Sequence, residues 1–341
     1  MQKKKAVSIL ISVAVSIILI WILLSQIEIG DFVQTFAQIY VPALLAFMAI
    51  SLAAATLRSW RYKWLLHPQH IGWGNIFLVT FIRNLFVDLF PARIGSLSYI
   101  YILNRKLNYS FEAATSTFVV AFVFDFLTLS PFLVISILSV GLGSTTLSST
   151  SLLAISLLFL LIICLILLKI TQLSHLFLNA FQLLLKLLNL KERRWAKITV
   201  EKISLTIAEL IQIKKRKIYW PLFFLSLGIR LAKYASLYFL LFSLLRSHGF
   251  SLENLSFPKT ILGITGAELT SALPIKGIGG FGTWESAWAL TLMLLGFKSQ
   301  IAILSSGVHL ITNLFEYFLG ILSILILALP FIKSKRQKSV S

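Results

Sequence analysis

Cysteine is nearly missing from this sequence. Cys164 stands alone inside an apolar run, so neither an intramolecular disulfide framework nor a cysteine-built zinc site is available. Charge is scarce too. Only 13% of the 341 residues are charged, about half the share found in a soluble globular chain. With 58% hydrophobic residues and a mean hydropathy of +0.90, the chain cannot supply the polar surface of a water-soluble fold. Acidic residues are fewest: 12 Asp and Glu against 31 Lys and Arg, a net charge of +19. Such a surplus could serve nucleic acid, but it is not spread as a groove lining. It gathers between or beyond apolar runs, at Lys3 to Lys5, Arg58 to Lys63, Arg105 with Lys106, Lys186 to Lys217 and Lys333 to Lys338. That is the positive-inside pattern of cytoplasmic loops. It implies anionic lipid headgroups as partners and no nucleic acid.

What the chain does have is a series of apolar runs, at 6–24, 40–57, 112–141, 151–169, 219–245 and 300–330. Each matches a crossing of a hydrocarbon core about 30 Å thick. The expected fold is all-α, a polytopic helical membrane bundle with about six full spans in a single transmembrane domain over 1–341. The first run is longer than a signal-peptide core and has no small-residue cleavage site before Glu28 and Asp31, so it reads as a retained helix. Charge asymmetry then places both termini in the cytoplasm, at a plasma membrane. Residues 171–218 become a cytoplasmic basic connector, either amphipathic and lying on the leaflet or simply solvated. Residues 331–341 form a basic cytoplasmic tail.

Two apolar stretches fit no ordinary span. The first, 75–104, is broken at Phe90-Pro91-Ala92-Arg93. Its halves of about 15 and 11 residues reach roughly 22 and 16 Å at about 1.5 Å per residue, short of a core of about 30 Å. Both its ends meet basic loops, which requires an even number of crossings. The second, 258–297, is interrupted over 274–285 and has both ends on the opposite side. Two re-entrant hairpins of opposite orientation, one in each half, are the pattern of an inverted-repeat transporter with its site near the midplane. Short spans in tight crossing hairpins are the alternative. Reading each broken stretch as a single helix gives a count of eight.

Ionisable groups at membrane depth need a partner or a purpose. The first hairpin carries Arg83, Asp88 and Arg93; the span at 112–141 carries Asp125; the span at 219–245 carries Arg230 and Lys233 on one helix face. The second hairpin carries Glu268, Lys276 and Glu285. In the last span His309, Asn313 and Glu316 form a polar stripe. These groups either pair off to hold helices together, or some of the cations form a cavity for an anion. Arginine suits the second role, because its planar guanidinium binds phosphate through two parallel hydrogen bonds. Half-helix N-termini beyond Pro91 and Gly282 would add anion-seeking N–H groups. GIGGFG at 277–282 satisfies the glycine spacing of a dinucleotide fingerprint, but no strand precedes it and Ala302 sits where the acidic residue belongs. Its glycines read instead as an unwound turn. His67, His70, His175 and His248 have no neighbours that make a metal or catalytic set, and no cofactor is expected.

The segments FIRNLFVDLFPARIGSLSYIYIL (81–103) and LPIKGIGGFGTWE (273–285) are similar to the lysylphosphatidylglycerol synthase transmembrane-region family of flippase-like membrane proteins. The shared pattern is Asn84, Asp88, Pro91, Arg93 and Gly95 in the first, and Pro274, Gly277, Gly279, Gly280, Gly282 and Glu285 in the second. The resemblance runs over roughly 6–330. It implies a membrane domain associated, in two-part members, with moving aminoacylated phosphatidylglycerol between leaflets. Those members add a soluble aminoacyl-transferase domain, which the resemblance leaves without a counterpart here, so the chain is expected to be a stand-alone, non-enzymatic member. Relatives fused to glycosyltransferases point to polyprenyl-phosphate lipids as well.

The expected function is therefore binding and translocation of an anionic phospholipid or a lipid-linked phosphate. Arg83 and Arg93 would hold the phosphate, oriented by Asp88 beside Asn84. Gly277, Gly279, Gly280, Gly282 and Glu285 would form the facing wall. Asp125, Arg230, Lys233, Glu268, Lys276, His309, Asn313 and Glu316 would line the cavity. Two rival readings are a proton-coupled transporter of a small anion, with Asp125, Glu268 and Glu316 as proton sites, and a scaffold that docks a cytoplasmic transferase. An intramembrane lipid enzyme has no nucleophile–base pair to support it.

Overall fold

The computed structural model describes residues 28–66, 71–140, 149–270 and 281–329, with Ile18, Trp21, Ile22 and Ser25 before them. The side chains of 29, 91–93, 149, 150, 152, 153, 155 and 156 lie outside that description. So do the expected first span, apart from those three residues within it, residues 271–280, which hold most of the expected glycine turn, and the basic tail. Every regular element among the described residues is helical. A helix closes all of its backbone hydrogen bonds within one segment, as a hydrocarbon environment demands.

A short helix α1 (Ile29–Ala37) precedes the long α2 (Val41–Leu66). A broken unit follows: α3 (Trp73–Leu89), a 3-10 turn (Pro91–Leu97) and α4 (Ser98–Arg105). Next come α5 (Phe111–Leu127) and α6 (Leu129–Val140), which together make one span. The connecting region holds α7 (Ser149–Leu168), α8 (Ile170–Leu187) and α9 (Arg194–Lys215). The second half repeats the plan of the first. It has a long α10 (Tyr219–Leu245), a second broken unit of α11 (Phe257–Thr270) and α12 (Thr283–Leu294), then α13 (Ser299–Ser305) and α14 (Gly307–Ala328).

Four continuous helical stretches are long and apolar enough to span: Val41–Leu66, Phe111–Val140, Tyr219–His248 and Ser299–Ala328. Leu157–Leu168 and Ile170–Leu187 qualify as a fifth only if the pair, bent by 77° at Lys169, counts as one. Beyond that bend, α8 buries Ile170, Leu178 and Leu185 and leaves Leu176, Phe177, Leu184 and Leu187 exposed. One correction concerns the span expected at 40–57. The helix continues to Leu66, so Arg58 and Arg61 lie within it rather than in a basic loop. Arg61 is fully buried.

Both broken segments double back on themselves. After Pro91 starts the 3-10 turn, Gly95 lies directly on α3: a Cβ at that position would sit 1.7 Å from the Phe86 carbonyl oxygen. No side chain larger than hydrogen can occupy that contact. In the second unit, Lys259 reaches the Leu295 carbonyl at 2.8 Å, and Gly266 meets Thr291 closely enough that a Cβ would fall 2.3 Å from its hydroxyl. Rising numbers in α11 therefore meet falling numbers in α12, and the two run antiparallel.

The long helices of the two halves run in opposite directions. Tyr40 donates its amide to the Ser243 carbonyl at 2.9 Å, while at the other end Arg61 bonds the Ser226 hydroxyl at 2.9 Å. Helices α2 and α10 are thus antiparallel along their length, and they form the most extensive helix pair in the fold. The hairpins are exchanged: α3 packs on α14 of the second half, and α11 packs on α6 of the first. Gly320 of α14 presses on Leu85, where a Cβ would come within 2.4 Å of the leucine's own.

Candidate functional site

Sequence repeats mark where the halves meet. Arg58-Ser59-Trp60-Arg61-Tyr62 of α2 has a counterpart in Arg230-Leu231-Ala232-Lys233-Tyr234 of α10. Both place two cations one helical turn apart, followed by a buried tyrosine. Around them is a cavity of about 200 Å³, with walls from both repeats: Arg58 of α2, Arg83, Asn84 and Asp88 of α3, Asp125 of α5, Arg230 and Lys233 of α10, and Glu268 of α11. Trp284 of α12 and His309, Asn313 and Glu316 of α14 complete it.

The cations in and beside this cavity differ in how they are satisfied. Arg61 donates to Asp125 at 2.7 Å and to the Ser226 hydroxyl at 2.9 Å, which locks α2, α5 and α10 together. Arg230 donates to Glu268 at 3.4 Å and also to the Asp125 carbonyl. Lys233 pairs with the other oxygen of Glu268. These are structural pairs of the kind that removes the cost of a buried charge.

Arg58 and Arg83 are arranged otherwise. Arg58 donates to the side-chain oxygen of Asn84 at 3.0 Å, and Arg83 donates to the same oxygen at 3.3 Å. Two guanidinium nitrogens therefore lie at most about 6 Å apart across a neutral acceptor. At that distance like charges repel by about 3 kcal/mol for an effective dielectric of about 20. Like Nε and Nη2 of Arg61, the Nε atoms of both arginines are buried with no hydrogen-bond partner among the described residues. An anion between them would relieve the repulsion and satisfy those donors.

Glu285 backs the part of the wall formed by Trp284 and His309. One of its oxygens accepts the Gly282 amide at 2.7 Å, where the chain turns with φ 85° into α12. The helix N-terminus expected to attract an anion at Gly282 is thus already capped by the chain's own carboxylate. The other oxygen lies 2.5 Å from His309 Nδ1, and His309 Nε2 meets the Asn313 amide nitrogen at 3.1 Å. Trp284 stacks on the imidazole, 4.6 Å between ring centres and 12° between planes.

The family model for the lysylphosphatidylglycerol synthase transmembrane region matches residues 9–323. The chain belongs to this family. It is a multi-pass membrane protein with a role connected to membrane lipids. No curated protein matches it.

Of the site residues expected for this family member, the structure brings Arg83, Asn84, Asp88, Asp125, Arg230, Lys233, Glu268, His309, Asn313 and Glu316 to the cavity wall. Gly282 and Glu285 lie behind Trp284 as the cap of α12. Gly277, Gly279, Gly280 and Lys276, and the side chain of Arg93, fall outside the described residues. Sequence reading missed Arg58 and Arg61, which it assigned to a loop. The repeated Arg-x-x-(Arg/Lys)-Tyr spacing is the signal that would have found them. Among the described residues no group of three metal-ligating side chains gathers.

Proposed function

We propose that this protein binds the phosphate of an anionic membrane lipid between Arg58 and Arg83 and moves the lipid between leaflets. The observation that carries this reading is the convergence of two half-buried guanidiniums on the neutral oxygen of Asn84, with donors left over, inside a cavity walled by both repeats. Arginine pairs are well matched to a phosphate's several oxygens. The cavity volume of about 200 Å³ suits a headgroup, below the roughly 300–1,000 Å³ that encloses a drug-sized ligand.

A lipid also needs a path for its tails. On the adjoining face of α3 lies an apolar groove of about 440 Å³, bounded by Phe86, Phe90, Ile94, Tyr101 and Leu327, with Lys106 in its lining. This favours a lipid over a small soluble anion. Arg93 and the 277–280 glycines would contribute to the same slot, and the two hairpins would be re-entrant from opposite faces. Inverted halves about a midplane site suit alternating access. Phosphatidylglycerol derivatives and polyprenyl phosphates are the lipid classes that carry the required group. The termini and the 171–218 connector would face the cytoplasm of a plasma membrane.

The test is mass spectrometry of lipids retained by detergent-purified protein, comparing wild type with Arg58→Ala and Arg83→Ala. One anionic or polyprenyl-phosphate lipid enriched in wild type and lost from both variants is the expected result. Equal retention by all three proteins overturns the slot.

A further inference from the structure

Helices α8 and α9 lie between the two halves and take no part in the phosphate slot. We propose that they form a hairpin lying in the plane of the membrane, seated in the surface of an anionic leaflet. The inference goes beyond the lipid-phosphate reading and does not depend on it.

At about 100° per residue, α8 divides into three stripes. Ile170, Leu178 and Leu185 are buried against the protein. Beside them Leu173, Leu176, Phe177, Leu183, Leu184 and Leu187 make an exposed apolar stripe that contains no charge. Gln172, His175, Asn179, Gln182 and Lys186, spaced alternately by three and four, make an exposed polar stripe. Immersion in hydrocarbon would strand the polar stripe, and full solvation would leave six large apolar side chains in water. A helix at the headgroup boundary satisfies both stripes, with its apolar face sunk about 5–10 Å.

The bend at Lys169 sets that orientation. Helix α7 runs for 20 residues, about 30 Å, packed beside α5 and α6, so it is long enough to cross the bilayer unaided. Helix α8 leaves it at 77°, close to the membrane plane. The pair is then one span followed by a surface helix, not one broken span.

The contacts of α9 set the depth. It returns along α8 until Lys214 donates to the Leu168 carbonyl at 3.4 Å, next to the bend. Arg216 then donates to the Trp64 and Leu65 carbonyls at 2.6 and 3.3 Å, in the last turn of α2, where helix carbonyls lack partners within the helix. Tryptophans gather at this end: Trp60 and Trp64 belong to the last two turns of α2, the Lys63 ammonium lies 5.5 Å from the Trp73 ring centre, and Trp220 follows Arg216 by about one turn. Such a belt marks the boundary between hydrocarbon and water.

Charge selects the leaflet. Residues 169–217 carry eleven Lys and Arg against three Glu. Lys191, Arg193 and Arg194 are exposed at the turn between the helices, where Glu192 is already paired with Lys197 at 2.6 Å. Lys169, Lys214, Lys215 and Lys217 are exposed at the open end. Clusters of cations beside a span are drawn to anionic headgroups. A second copy of the chain would bring the same surplus of positive charge and be repelled.

The experiment uses the full chain with Cys164→Ser and a single fluorophore at Leu176→Cys, Leu187→Cys or Gln182→Cys, in phosphatidylcholine vesicles with or without phosphatidylserine. Nitroxide-bearing lipids quench from the membrane, and acrylamide quenches from water. Labels at Leu176→Cys and Leu187→Cys should be quenched by the lipids and shielded from acrylamide, and the label at Gln182→Cys should show the reverse. Nitroxide-bearing phosphatidylserine should quench at Leu187→Cys several-fold more strongly than its phosphatidylcholine counterpart. Adding Lys191→Gln, Arg193→Gln and Arg194→Gln should remove most of that preference. Equal access of acrylamide to all three labels overturns the in-plane seat in favour of a solvated connector. Labels at Leu176→Cys and Leu187→Cys that neither quencher reaches overturn it in favour of a contact between copies. Equal quenching by the two lipids, or a preference that survives the three Gln substitutions, overturns the anionic leaflet as partner.

Discussion

Arg58 donates through Nη1 to the side-chain oxygen of Asn84 at 3.0 Å, joining the first long helix to the first hairpin by a cation on a neutral acceptor. Arg61, one turn along the same helix, meets Asp125 instead. The two arginines share a helix, Arg61 fully buried and Arg58 half-buried, but one is paired with a carboxylate and the other with a neutral amide. Opposite effects of mutation follow.

Arg58→Ala should weaken retention of the anionic lipid by about 10- to 100-fold, the equivalent of about 1.5–3 kcal/mol for hydrogen bonds to a charged group. It should leave the unfolding temperature in detergent little changed or raised, because a like-charge repulsion with Arg83 disappears. Arg58→Lys should recover part of the binding, since a point charge replaces a bidentate fork. Native mass spectrometry and a thermal melt together read both effects.

Arg61→Ala should act mainly on stability. It strands Asp125 at depth, and breaking a buried pair from one side costs about 3–5 kcal/mol. Replacing both partners, as in Arg61→Met with Asp125→Leu, should restore much of the lost stability. Thermal melts of the two single variants and the double variant give the coupling directly, and additive losses would contradict it.

Gly95→Ala should fail to assemble the first hairpin, because the added methyl would overlap the Phe86 carbonyl at 1.7 Å. Gly72→Ala is the matched control: a Cβ there meets nothing within 4 Å. The yield of monodisperse protein by fluorescence-detected size exclusion should collapse for the first and hold for the second.

Ser110 caps α5, its hydroxyl accepting the Ala113 amide at 3.1 Å. Ser110→Ala should cost about 1 kcal/mol and Ser110→Asp almost nothing. Unfolding midpoints in detergent check the order of the three proteins.

Much of the fold was legible before any coordinates. Pro91 and the 274–285 interruption marked broken helices because halves of such length cannot cross a bilayer core, and the expected spans beginning at 40, 112, 219 and 300 each overlie a helix. The end of α2 was misread for a physical reason. A cluster of Arg58, Arg61 and Lys63 looks the same in sequence whether it sits in a solvated loop or along a buried helix face. The site was legible in its residue types but not in its pairings.

The sequence by itself determined that this is a helical membrane protein with two interrupted segments and ionisable groups of both signs at membrane depth. Those properties depend on run length, composition and local spacing, and the bilayer reads each of them segment by segment. Only the tertiary structure decided which cations are left without a carboxylate and which carboxylates are committed. Arg61 and Asp125 are 64 residues apart, Arg58 and Asn84 are 26 apart, and Glu285 and His309 are 24 apart. Each partnership joins two different helices within one half, a matter of helix packing that no single segment encodes.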